Sequence, residues 1–155
     1  MYNFPEAAGG TTSAPGAAAA CPRDVVFVMD ESGSVTAPNF ERMKSFASQL
    51  IGRLDVDNGN TRVAIVAYSS NIKTSIKLNV HSTAAALQSA VMSIRFTAGG
   101  TNTGGAIQHV RQTILTAAAG DRANAPNSVV VLTDGKSNSQ SSTEVGEKCP
   151  SYTGL

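Results

Sequence analysis

Asp30-Glu31-Ser32-Gly33-Ser34 gathers two carboxylates and two hydroxyls into five residues, immediately after the apolar run Val25–Met29. Two further oxygen donors stand far away in the chain. Thr101 lies in the Gly-rich stretch Gly99–Gly105, and Asp134 follows the apolar run Val129–Leu132. Asp30, Ser32, Ser34, Thr101 and Asp134 together are a hard oxygen set, which suits Mg²⁺ or Mn²⁺, with Ca²⁺ also possible, rather than zinc. Zinc calls for Cys or His, and neither His81 nor His109 falls at the end of an apolar run. Asp30 and Asp134 would balance the charge of such a cation, and the hydroxyls would add neutral ligands. If the carboxylates act through water, the cation gains by taking an acidic group from outside, which is a mechanism for recognising a partner's Asp or Glu. Glu31 bears on this, because a third carboxylate aimed at the cation would weaken that demand. The geometry of a strand running into a loop is expected to send Glu31 to solvent.

These donors can meet only if the intervening chain brings them together, and its periodicity says how. Val25–Met29, Val63–Tyr68 and Val129–Leu132 are continuous apolar runs rich in β-branched residues, as in strands buried on both faces. Between them the period changes to a helical one. Pro38 opens a helix in which Phe40, Met43, Phe46/Ala47, Leu50/Ile51 and Leu54 recur on one face. Ser82 or Thr83 can cap a second helix carrying Leu87, Val91 and Ile94, and the Gly-rich stretch leads into a third carrying Ile107, Val110 and Ile114. Asp57-Asn58-Gly59-Asn60 is a turn cluster. Ile72, Ile76 and Leu78 alternate with Lys73, Ser75 and Lys77 as in a short edge strand, whose lysines would discourage pairing with another chain. Strands separated by helices predict an α/β fold, an open doubly wound, mostly parallel sheet with helices on both faces. Such sheets bind ligands at the carboxyl ends of their strands, where all three donor segments fall.

Composition narrows the function classes. The chain has 155 residues, 41% of them hydrophobic, enough for one buried core. A net charge of +1, aromatics at 5% and no Trp leave neither the basic stripe nor the stacking platforms of a nucleic-acid binder. No apolar run reaches the ~20 residues that cross a bilayer, so no membrane span is expected. Residues 1–20, ending in GGTTSAPGAAAA, read as a flexible low-complexity linker, with the domain occupying 21–155. Met1–Gly10 lacks the basic and apolar regions of a secretory leader, which suggests a fragment of a longer reading frame. Cys21 and Cys149 bracket the patterned region; they read either as a disulfide staple or as two unrelated buried thiols.

DESGS after VVFVM, the GGTNTGGA loop and VVVLTDG together resemble the metal-ion-dependent adhesion site of von Willebrand factor A and integrin I domains, over about Arg23–Asn138. That site has the form D-x-S-x-S, a distant Thr, then an Asp after a strand. The resemblance implies Asp30, Ser32, Ser34, Thr101 and Asp134 as ligands, with Thr101 preferred to Thr103 as the first Thr of the family's T-x-T segment. It implies a non-enzymatic adhesion module that captures an acidic side chain of an extracellular protein, in a secreted protein or an ectodomain. In the family a cysteine at the domain start pairs with one beyond the last helix. The family also continues with further strands and a C-terminal helix, whereas only 135–155 follow Asp134 here. The last strands are therefore expected to be missing, leaving Val129–Leu132 as an unprotected edge.

Rival readings rest on the same residues. An A domain can instead serve as an intracellular assembly subunit, which a Cys21–Cys149 disulfide would argue against. The Gly99–Gly105 loop could cradle a phosphate, but it lacks the P-loop Lys and the G-x-G-x-x-G spacing. Asp30 could serve as the nucleophile of a metal-dependent phosphohydrolase, with Lys136 the nearest cation for phosphate. Ser32 and Ser34 do not sit in G-x-S-x-G, so a nucleophile elbow is unsupported.

Overall fold

The structure is a computed structural model and describes residues 21–135. Four strands form one sheet in the order β3-β2-β1-β4: β1 Arg23–Asp30, β2 Thr61–Tyr68, β3 Ile72–Ile76 and β4 Asn127–Leu132. β1 pairs in parallel with both β2 and β4, and β3 runs antiparallel at the edge beside β2. The mostly parallel sheet with one antiparallel edge strand is thus present. The segment 136–155, on which the expectation of a bare β4 edge depends, lies outside the described residues.

Alternation along β1 divides the core in two, because successive side chains leave a strand on opposite faces. Val25, Phe27 and Met29 pack with Phe40, Ala47 and Ile51 of α1 (Ala37–Ile51) and with Leu87 and Val91 of α2 (Ala84–Met92). Val26 and Val28 face the other way, onto Ala106 of α3 (Thr103–His109) and onto Val110 and Ile114 of the wider-wound turn that continues it. Helices therefore cover both faces of β1 and β2, as their uninterrupted apolar runs require. Val129–Leu132 departs from the expectation of burial on both faces: β4 is half-buried and Val131 is exposed, because among the described residues it pairs only with β1.

Local signals place the helix starts. α1 has Pro38 in its first turn, where a missing N–H costs nothing. Thr83 rather than Ser82 caps α2, its hydroxyl accepting from the Ala86 N–H, and the Asn102 side chain caps α3 by accepting from the Gly105 N–H. Two elements are shorter than their patterns suggest. β3 ends at Ile76, with buried Leu78 beyond it, and α2 ends at Met92, two residues before Ile94. Lys44 explains the second stop. Its ammonium, carried on α1 and lying above the Phe40 ring, donates to the carbonyls of Met92 and Ile94 and so satisfies the end of α2.

The edge where β1, β2 and β4 begin is closed by a polar knot. Asp24 is fully buried and accepts from the backbone N–H of Arg122 at 2.8 Å and from its Nε at 2.9 Å. The guanidinium also donates to the carbonyls of Arg23, Gly59 and Asn60. Cys21 is exposed just ahead of β1, while Cys149 lies outside the described residues, as does Lys136.

Candidate metal centre

Parallel pairing brings the strand ends into line. Asp30 is opposite Tyr68 on β2, and Met29 is opposite Leu132 on β4. The DESGS turn, the start of the chain beyond β2 and the Thr133-Asp134 pair therefore leave the sheet side by side. Asp30 is 0% exposed, and its carboxylate is held on both oxygens. Oδ1 accepts from the Ser32 N–H at 2.8 Å, and Oδ2 accepts from the Thr133 hydroxyl at 2.8 Å. The Thr133 oxygen in turn accepts from the Gly135 N–H. Ser32 is buried and Ser34 exposed, and their hydroxyl oxygens lie 3.1 Å apart.

The loop between α2 and α3 closes over this turn. Gly33 N–H donates to the Gly99 carbonyl at 2.9 Å, and Asn102 N–H donates to the Ser69 carbonyl at 2.8 Å. Thr101, between those anchors, is buried. Thr103 is engaged elsewhere, its hydroxyl 3.0 Å from the buried Tyr68 hydroxyl. Burial pushes the Tyr68 phenol above its ordinary value; the Thr103 hydrogen bond opposes this, and the carboxylates of Asp30 and Asp134 push it further up. Both carboxylates thus act on the same phenol. Asp134 itself is exposed beyond the end of β4.

Glu31 corrects the sequence reading. It is fully buried instead of solvent-facing. Its N–H extends the β1–β2 ladder by one bond, to the Tyr68 carbonyl at 2.8 Å, so the strand alternation continues. Its side chain therefore leaves on the Phe27 and Met29 face, away from that of Asp30, where Oε1 accepts from the Thr97 hydroxyl at 2.7 Å. Three participants escaped the sequence reading altogether: Tyr68, Thr97 and Thr133. Thr133 had a signal in its place beside Asp134 at a strand end, whereas Thr97 had none.

The residues fit a hard divalent cation. Among the described residues no three His, Cys, Asp or Glu gather as a metal cluster, so a site here has to draw on hydroxyls. The Ser32 and Ser34 hydroxyls are hydrogen-bonded to each other at 3.1 Å, close to the ~3.0 Å between adjacent ligands of an octahedron with bonds of ~2.1 Å, so one ion can take both with little movement. A depression of about 540 Å³ at the opposite sheet edge includes Asp57, Arg62 and His81. Its charged groups already serve the fold, Arg62 donating to the Gly120 carbonyl and Asp57 accepting from the Ala84 N–H.

Known proteins share both the sequence and the shape. Mouse matrilin-1 is 42% identical over 118 residues, covering 74% of this chain and 24% of the relative. The mouse collagen alpha-4(VI) chain is 34% identical over 128 residues, covering 81% of this chain and 6% of the relative. The chain thus spans a quarter or less of these two relatives. Among solved structures, proximal thread matrix protein 1 from the mussel byssus superposes with a TM-score of 0.71 at 27% identity, covering 78% of this chain and 33% of that one. A further structure of that protein, at 25% identity and the same TM-score and coverage, is described as having a zinc-occupied MIDAS motif, the metal-ion-dependent adhesion site. The family model described as von Willebrand factor type A domain matches residues 24–153, and with the strand order and the D-x-S-x-S turn at the end of β1, this chain belongs to the von Willebrand factor type A domain family.

Proposed function

We propose that this chain is a divalent-cation-dependent protein-binding module of the extracellular matrix, without enzymatic activity. The ligand set is Asp30, Ser32, Ser34, Thr101 and Asp134, and Mg²⁺ or Mn²⁺ is the preferred ion. The observation that carries the reading is the fully buried Asp30 carboxylate, already oriented by Ser32 and Thr133 beside two hydroxyl oxygens at the spacing of neighbouring ligands. Burying a carboxylate is costly unless its charge is answered, and a cation at this strand edge answers it. Bound there, the cation would supply an electron-poor position for a carboxylate of a partner protein. Exposed Ser34 and Asp134 lie on the solvent side, where such a partner can approach. The placement of Glu31 on the other sheet face supports this reading, since it leaves the acidic position for the partner to fill. Likeness to a collagen chain, a matrilin and a byssal thread matrix protein supports the matrix setting and a role in binding.

Isothermal titration of the whole chain with Mg²⁺, Mn²⁺ and, in view of the mussel protein, Zn²⁺ tests the site. Asp30→Ala is expected to weaken binding at least tenfold while circular dichroism shows the fold retained. Equal affinity in the variant and the parent chain would sink the reading.

A further inference from the structure

The metal-site reading leaves a buried carboxylate, Glu31, with no part to play. Glu31 belongs to the D-x-S-x-S turn but faces away from its ligands, and burial has to be compensated by hydrogen bonds. Oε1 has Thr97, whereas Oε2 finds no hydrogen-bond partner among the described residues. Thr97 lies four residues before Thr101, at the entry to the loop that covers the turn. That loop does not hold its shape unaided. Ala98 sits at φ 57°, in the left-handed region that penalises a side chain, and Gly99 follows at φ 132°. A Cβ on Gly99 would come within 3.0 Å of the Ser69 hydroxyl, so the backbone is pressed against β2's end. Gly33 N–H to Gly99 O, Gly100 N–H to Ser70 Oγ and Asn102 N–H to Ser69 O fasten it downstream of Ala98. Upstream of the strained residue, Thr97 is tied to Glu31.

We propose that Glu31 is a positioning residue: its carboxylate latches Thr97 and so holds the 97–102 loop, and with it Thr101, against the strand end that carries Asp30. The latch rests on the metal-site reading for its purpose but not for its existence. Because it works by accepting one hydrogen bond, the negative charge of Glu31 is dispensable and the acceptor is not. A glutamine at 31 keeps an acceptor for Thr97 while removing the charge.

The test uses the whole chain with Glu31→Met, Glu31→Gln, Thr97→Val and the Glu31→Met/Thr97→Val pair. Amide hydrogen exchange of Gly100 and Asn102, whose N–H groups are hydrogen-bonded to Ser70 and Ser69, is followed in EDTA, and Mg²⁺ affinity by calorimetry. Glu31→Met and Thr97→Val are each expected to speed exchange of those amides tenfold or more and to weaken Mg²⁺ about tenfold. The pair should be no worse than either single change, and Glu31→Gln should stay within threefold of the parent on both measures. Glu31→Gln as impaired as Glu31→Met would overturn the latch in favour of a charge effect, and unchanged exchange in Thr97→Val would overturn it outright. Should Glu31→Met fail to fold, Thr97→Val decides, since Thr97 is exposed. If the parent chain binds neither Mg²⁺, Mn²⁺ nor Zn²⁺, the metal reading fails, while exchange in the metal-free protein still decides the latch.

Discussion

Replacing Arg122 with methionine removes the guanidinium from the knot at the base of the sheet while keeping most of the side-chain bulk. Asp24 would then stay 0% exposed with only the backbone N–H of residue 122 as partner, having lost the Nε bond and the 2.7 Å contact with NH2. Stranding one member of a buried ion pair costs about 3–5 kcal/mol. The carbonyls of Arg23, Gly59 and Asn60 lose their donor too, but they lie near solvent, where water offsets most of that loss. The total is a large part of the ~5–15 kcal/mol that holds a domain together. At roughly 3 °C per kcal/mol for a chain of this size, the midpoint should fall by about 10–15 °C. Thermal unfolding followed by circular dichroism measures the midpoint and urea unfolding the free energy, since the chain has no Trp to report by fluorescence. Asp24→Asn keeps an acceptor for the backbone N–H and removes the stranded charge. Introduced on top of Arg122→Met it should therefore be near neutral, although it destabilises the parent, giving a coupling of about 1–3 kcal/mol. An Arg122→Met cost under ~1 kcal/mol, or single costs that simply add, would refute the reasoning, because either result would mean the pair is solvated in solution.

Two glycines at positive φ should behave differently when changed to alanine. Gly120 (φ 96°) would place a Cβ 2.8 Å from the Asn79 Cβ and 2.9 Å from its backbone N, so Gly120→Ala should cost well over ~1 kcal/mol, whereas Gly59 (φ 76°) opens onto space and Gly59→Ala should cost only about 1 kcal/mol by denaturant titration. Lys44→Met should cost about 1–3 kcal/mol in the same assay, because it leaves the Met92 and Ile94 carbonyls unanswered where α1 meets α2, and hydrogen exchange should rise first at the C-terminal turn of α2.

How much was legible beforehand depends on the range of the forces involved. β-branched runs announce β1 and β2 because a strand covered on both faces has no polar side to show; β4 is announced by the same kind of run although it is only half-buried, and a helical stripe from Phe40 to Ile51 announces α1. The strand-end positions of Asp30 and Asp134 follow from the same local patterns. Lys44 was readable in principle as a cation inside the apolar stripe, four residues after Phe40. Even there, its partners at Met92 and Ile94 are set by how α1 lies on α2.

Residues separated by many positions, with no shared periodicity, were decided only by the tertiary structure. Arg122 meets Asp24 across 98 positions and Thr133 meets Asp30 across 103. Glu31 is the clearest case. The sequence establishes that a carboxylate follows Asp30, but alternation just past the end of a strand says which way a side chain points and not whether anything covers it. Burial is settled by the loop carrying Thr97, 66 residues later, which folds back across the end of β1. Local sequence determines each element because its forces act between neighbours along the chain. The environment of a strand-end side chain is set by whichever distant segment the packed sheet brings over it.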